Sequence, residues 1–140
     1  MIDDLKEILH TMQCSLVVRH GEEVKTYNKK GVRDLWALLW SAPAFLRHSA
    51  LADKVIGKAA AGIIAEAGVS EVYADVMSRL ALPLLDLAGI RYTFGALVER
   101  IVIPEGDKRC HLERIVADAA TSREVVEKLG KHFYEIQKLK

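Results

Sequence analysis

Between His48 and Phe94 the chain falls into a rhythm that leaves few folds open to it: strand, helix, strand, helix, strand. Ala50-Leu51-Ala52 is a short apolar run of the kind that fills a strand buried on both faces. Residues 55–67 read as a helix closed by Gly68 in a C-cap position. Residues 72–76 read as the next strand. Ser78 is placed to cap a helix ending at Gly89, with Pro83 blurring where that helix starts. Residues 90–94 read as a further strand. Strands joined by helices run parallel, with right-handed crossovers, so this half of the chain predicts a parallel sheet. Ala59, Ala60, Ala61 and Gly62 are small enough to let the helix at 55–67 lie close to that sheet.

The flanking segments complete the layers. Residues 3–12 read as a helix with Ile2, Leu5, Ile8 and Leu9 on one face. Residues 15–19 and 24–27 read as strands, and His20-Gly21-Glu22-Glu23 between them suits a hairpin. After Gly31, helical spacing of Val32, Leu35, Trp36, Leu39 and Trp40 continues until Pro43 interrupts it. Pro104-Glu105-Gly106-Asp107 reads as a surface turn. Thr121-Ser122-Arg123-Glu124 has capping-box spacing and opens a last helix with Val126, Leu129, Phe133 and Ile136 on one face. The expectation is one α/β domain over residues 1–140: three layers, α-β-α, around a mixed sheet of about five strands that opens with a β-hairpin. A C-terminal helical extension is expected from residue 110 onward.

Composition excludes several partners. The 140 residues are 51% hydrophobic and 28% charged with a formal net charge of +1, and the basic residues are scattered among acidic ones. No nucleic-acid footprint is visible, and Lys138-Leu139-Lys140 is too short a basic run to make one. No run approaches the ~18 apolar residues of a membrane span. The opening Met1-Ile2-Asp3-Asp4-Leu5-Lys6-Glu7 is acidic and amphipathic, unlike an export signal. Cys14 and Cys110 form no disulfide framework, which fits a reducing compartment. A cytoplasmic protein without membrane or nucleic-acid partners is expected.

Chemistry-bearing residues gather where a strand hands over to a helix. Asp53, Lys54, Gly57 and Lys58 fall at such a switch, and helix N-termini beyond the carboxyl ends of strands favour anions. A phosphate-binding loop is a poor match, because Ala52 and Ala59 occupy its first Gly and its Ser/Thr positions. The plainer alternative has Asp53 capping the helix and both lysines solvated. Asp75 ends the next strand and should approach Asp53 and Lys54, giving either a lysine with a shifted pKa or a simple ion pair. Ser78 follows at the same edge.

Cys110, after a polar loop at an expected helix start, is a candidate nucleophile assisted by Lys54 or His111; the alternative is a buried structural thiol. Cys14 reads as core. Trp36 and Trp40 read as packing on the sheet or at a subunit contact. His10, His20, His48 and His132 have no ligand-like spacing.

The stretch Ala52-Asp53-Lys54-Val55-Ile56-Gly57-Lys58-Ala59-Ala60-Ala61, with Gly68-Val69-Ser70-Glu71-Val72-Tyr73-Ala74-Asp75-Val76, resembles an uncharacterised prokaryotic family, domain-of-unknown-function family 1893. The resemblance runs from about Ser15 to Glu113 and includes Ala88-Gly89-Ile90 and Leu97-Val98. Where family members carry Cys-Pro-x-Glu, this chain has Cys110-His111-Leu112-Glu113 and lacks the proline. The resemblance implies a cytidine-deaminase-like fold and no established activity.

Zinc deaminases place a His and a Glu at the helix after the third strand, and Cys-x-x-Cys after the fourth. Asp53-Lys54 and Asp75-Val76-Met77-Ser78 stand at those places here. Without three protein ligands an activated zinc-bound water has no support. No cofactor is expected, and zinc-dependent deamination is excluded on these residues.

Three functions follow as expectations. The first is binding of a small anionic, nucleotide-like metabolite by Asp53, Lys54, Gly57, Lys58, Asp75, Ser78 and Glu113. Asp53, Lys54, Lys58, Asp75, Cys110 and Glu113 are expected to converge on one cleft at the carboxyl edge of the sheet, Cys110 and Glu113 being placed there by the family resemblance. The second is an enzyme with Cys110 and Lys54 as catalytic groups. The third is a structural protein without a small-molecule site. A homo-oligomer, a dimer through Trp36, Trp40 and the last helix, is expected as well.

Overall fold

The computed structural model describes residues 2–29, 31–102 and 111–138. The expected turn at 104–107 lies outside them. The elements are α1 (Ile2–Thr11), β1 (Leu16–His20), β2 (Glu23–Tyr27), α2 (Arg33–Ser41), α3 (Pro43–Leu46), β3 (Ala50–Ile56), α4 (Lys58–Ala67), β4 (Glu71–Ser78), a 3-10 turn (Arg79–Ala81), α5 (Leu82–Leu87), β5 (Arg91–Val98), α6 (His111–Ile115) and α7 (Ser122–Lys138).

The five strands form one mixed sheet in the order β2-β1-β3-β4-β5. β1 pairs antiparallel with β2 and with β3, whereas β3–β4 and β4–β5 are parallel. The helical crossovers α4 and α5 impose that parallel half.

Two boundaries differ from the sequence pattern. β3 does not stop at Ala52 but continues through Val55 and Ile56, which pair with Val76 and Met77 of β4. β-branched side chains favour the pleated ladder, so the helix is delayed until Lys58. The helix expected before Gly89 is a 3-10 turn followed by the short α5, because Pro83 is tolerated only in a first helical turn.

α1 covers one face of the sheet, where Leu5 and Leu9 pack with Cys14, Val17, Ala52 and Tyr73. The thiol of Cys14 is buried there, as its place beside β1 implies. The other face carries the larger core around α4, which α2, α5, α6 and α7 surround. Sheet and flanking helices thus make three layers.

α4 is buried nearly all round, with Ala59, Ala60, Ala61, Gly62, Ile63, Ile64 and Ala67 inside. Gly68 ends it in the left-handed conformation, φ 76°. On α7 the inward residues are Val125 and Leu129, with Val126 only half-buried, so the apolar face is turned by one residue. The side chain of Ile136 lies outside the described set. Thr121 caps α7 by accepting the Glu124 N–H at 3.1 Å.

Trp36 is half-buried, its ring 4.9 Å from that of Phe133 on α7, while Trp40 stays 63% exposed. Among the described residues no helix is long and apolar enough to cross a membrane.

The tightest joint is α4 against α7. A Cβ at Gly62 would collide with the Val125 side chain. Gly62→Ala should therefore destabilise the fold by about 1–3 kcal/mol through overpacking. That outweighs the gain of up to about 1 kcal/mol alanine normally brings to a helix interior. Urea unfolding measures it; an unchanged or raised midpoint would contradict the close approach.

Candidate functional site

β3 is the central strand, and its period-two alternation sorts its side chains between two environments. Leu51 belongs to the core under α4, and Ala52 to the smaller core under α1. Asp53 follows Leu51 on the α4 side; Lys54 follows Ala52 on the α1 side. In register Asp53 lies between Leu16 of β1 and Ala74 of β4. A carboxyl in the middle of a sheet, 7% exposed, has lost most of its water.

One of its oxygens, Oδ1, accepts the Val55 N–H at 3.3 Å. No salt bridge to it occurs among the described residues. Burial pushes its pKa up to about 7; the negative Asp34 and Asp75 push the same way, against hydrogen bonds from the Val55 and Lys54 backbone. Asp34, itself buried near the start of α2, spends its carboxylate on the Lys29 N–H at 2.9 Å.

A pocket of about 340 Å³ opens over this point, lined by Gln13, Ser15, Asn28, Gly31, Asp53, Lys54 and Val55. It lies against the carboxyl-terminal half of β3, toward the end of the sheet where α/β folds gather ligands. Ser15 is committed to the backbone, its Oγ donating to the carbonyls of Tyr27 and Lys29, each at 3.0 Å. The side chains of Gln13, Asn28 and Lys54 make no hydrogen bond or ion pair among the described residues. Gln13, Asn28, Lys54 and the desolvated Asp53 thus line a single space.

The helix terminus is arranged differently. Glu113 of α6 is buried and accepts two α4 backbone N–H groups, Lys58 on Oε1 at 2.8 Å and Ala59 on Oε2 at 2.9 Å. The anion-favouring end of α4 is filled by the chain's own carboxylate. Gly57 is what admits it: a Cβ there would lie 2.7 Å from Glu113 Oε1. Lys58 is also engaged, its ammonium donating to the Ala117 carbonyl at 2.9 Å. Asp53 does not cap the helix, which begins five residues later with Gly57 at its N-cap and no side-chain cap from that residue.

Asp75 lies next to Lys54 in the β3–β4 register. Its Oδ1 nevertheless accepts the Tyr73 hydroxyl at 2.7 Å and sits 2.6 Å from His10 Nε2 of α1. Burial first, and then the Asp75 carboxylate, push the Tyr73 phenol up to about 12. Ser78 caps the 3-10 turn by accepting the Leu80 N–H at 3.0 Å.

The residues expected in one cleft therefore divide. Asp53 and Lys54 share the pocket. Gly57, Lys58 and Glu113 form an internal cap. Asp75 joins His10 and Tyr73 under α1, and Ser78 ends β4. Cys110 lies outside the described residues.

Two His-x-Glu sequences do occur: His20-Gly21-Glu22 lies in the β1–β2 hairpin, and His111-Leu112-Glu113 opens α6, where both Glu113 oxygens are taken by α4. Among the described residues no group of three His, Cys, Asp or Glu side chains is placed to hold a metal ion. Sequence reasoning missed Gln13, Ser15 and Asn28, which sit in loops whose meeting the chain order does not announce. It also missed the His10–Asp75 pair, which needs α1 folded back across β4.

The arrangement defines an α/β protein with a mixed five-stranded sheet and a pocket against the carboxyl-terminal half of its central strand, lined by Asp53 and Lys54. A family model described as a domain of unknown function (DUF1893; TM1506) matches residues 4–133, and the chain belongs to that family. The crystal structure of a DUF1893 family protein (TM1506) from Thermotoga maritima superposes with a TM-score of 0.83. It shares 20% sequence identity over 93% of this chain and 88% of that one, a likeness that shows the fold. No curated protein matches the chain.

Asp53 carries a stability cost with a defined pH dependence. The folded pKa, about 7, lies above the unfolded value. The contribution of the protonated carboxyl is complete below the unfolded value near 4 and is lost as pH rises through 7. Asp53→Asn should stabilise the protein at pH 8, by about 4 kcal/mol at most, with the difference shrinking towards pH 4. Urea unfolding of both proteins across that range measures it. A variant less stable than wild type at pH 8 would contradict the burial.

Proposed function

We propose that this protein binds a small anionic metabolite in the Asp53–Lys54 pocket, on a deaminase-like scaffold that lacks the zinc ligands. The observation that carries this reading is a buried carboxyl of raised pKa lining a pocket in which Gln13, Asn28 and Lys54 are uncommitted among the described residues. Groups that cost the fold stability are typical of binding sites.

Lys54 supplies the positive charge, since Lys58 is held by Ala117 and α4's N-terminus by Glu113. Gln13 and Asn28 supply donors and acceptors for the ligand's neutral part. The scaffold reading is supported by the family resemblance and by a mixed sheet that opens with a hairpin. The volume, about 340 Å³, suits a metabolite of nucleotide-fragment size.

Asp53 also favours a second reading. A carboxyl titrating near 7 inside a pocket is matched to general acid–base work at neutral pH, with Lys54 orienting the anionic substrate. Cys110, outside the described residues, takes no part in either reading.

Sulfate, phosphate and nucleoside monophosphates, read by thermal shift, form the test. Wild type should be stabilised in proportion to the logarithm of ligand concentration above the dissociation constant, and added salt should weaken the effect. Lys54→Ala should lose most of the shift. Because protonated Asp53 no longer repels an anion, affinity for sulfate should rise as pH falls from 8 to 6, and Asp53→Asn should abolish that trend. Equal shifts in wild type and Lys54→Ala would remove the pocket from the reading.

A further inference from the structure

The sheet has two edges, and they are treated very differently. β2 is five residues long and carries Glu23 and Lys25, which pair with each other at 3.4 Å. A short, charged edge discourages pairing with another strand. β5, at the other edge, is eight residues long, and from Tyr92 to Val98 it has neither a charge nor a proline. Its sequence Tyr92-Thr93-Phe94-Gly95-Ala96-Leu97-Val98 is rich in the residue types that favour strands, and Phe94 is 38% exposed. Among the described residues no strand pairs with its outer side.

Arg91 and Glu99 bracket the uncharged run, and each side chain is 79% exposed. We propose that β5 pairs with the β5 of a second copy of this chain, antiparallel about a two-fold axis through Gly95, joining the two sheets into one.

Symmetry narrows the register. An antiparallel pair of identical edge strands requires a two-fold axis normal to the sheet, so each side chain keeps its face and odd positions oppose odd positions. Of the registers this leaves, the one centred on Gly95 brings Arg91 to the partner's Glu99, the residue just past the end of β5, and repeats that pair at the other end. Centring on Phe94 would oppose Arg91 to Leu97, and centring on Ala96 would oppose it to Ile101. The Gly95 register also places Phe94 against the partner's Ala96, large on small, and Tyr92 against the partner's Val98.

Within one chain Arg91 reaches Glu71 only at 3.5 Å, and Glu99 meets Arg79 at 2.8 Å; exposed pairs of this kind hold their partners weakly, so a cross-strand partner can compete for either charge. Trp36, by contrast, is occupied by Phe133, so the contact moves from the last helix to the sheet edge.

Sedimentation equilibrium of the full chain, with Arg91→Glu, Glu99→Arg and the double swap, tests the pairing. Wild type should be a dimer. Each single swap sets like charges opposite each other twice per dimer and should raise the dissociation constant about five- to thirty-fold, as cross-strand pairs of this kind allow. The double swap should return it to within about threefold of wild type, as a double-mutant cycle requires. Amide exchange provides a second readout: alternate β5 amides, those directed away from β4, should gain protection as concentration rises. A monomer at every concentration would overturn the proposal. So would a dimer indifferent to both single swaps, or one whose β5 amides exchange independently of concentration.

Discussion

The carboxylate of Glu113 on the first two N–H groups of α4 is the contact on which the remaining arrangement turns. α4 is the most buried helix, and a buried N-terminus must find acceptors for its free N–H groups. Glu113 supplies two, and a hydrogen bond to a charged group contributes about 1.5–3 kcal/mol. Because Glu113 belongs to α6, the same bonds draw α6 onto the core. α7 then closes over Gly62. Gly57 is the local condition for all of this, since any side chain there would occupy the place of the carboxylate.

That contact also decides where a ligand can go. The end of α4 is the strongest anion-attracting feature in the chain, and it is satisfied internally. What remains for an outside molecule is the neighbouring pocket along β3, where the proposed source of charge is Lys54 rather than a helix dipole. Asp53 lies beside it, desolvated, with the charges of Asp34 and Asp75 raising its pKa further and no salt bridge to it among the described residues. A sheet centre made only of apolar residues would be more stable. Keeping a carboxyl there makes sense if the pocket uses it.

Much of the fold was legible because its signals are local. The apolar run of β1, the alanine run of α4, Gly68 as its stop and the Thr121 cap each act over a few residues, and each is found where the pattern places it. The boundaries shifted where two local tendencies met: Val55 and Ile56 suit either a helix start or a strand end, and the ladder to β4 settled it. The site was half legible. Asp53 and Lys54 could be picked out because a strand-to-helix switch is a property of sequence order. Glu113 looked like a ligand group, and only its distance from α4 in the folded chain shows that it is a cap. Gln13 and Asn28 left no trace, because what makes them matter is the packing of separate loops.

The central claim is that Asp53 is a buried, ionisable wall of a pocket that accepts anions. Carboxyl carbon-13 NMR titration of Asp53, with and without saturating sulfate, tests it most directly, since sulfate stays doubly charged through the range. The account predicts a midpoint near 7 that moves upward when sulfate binds, because a neighbouring anion disfavours the carboxylate. A midpoint near 4, the ordinary aspartate value, or one that sulfate leaves unmoved, would contradict it.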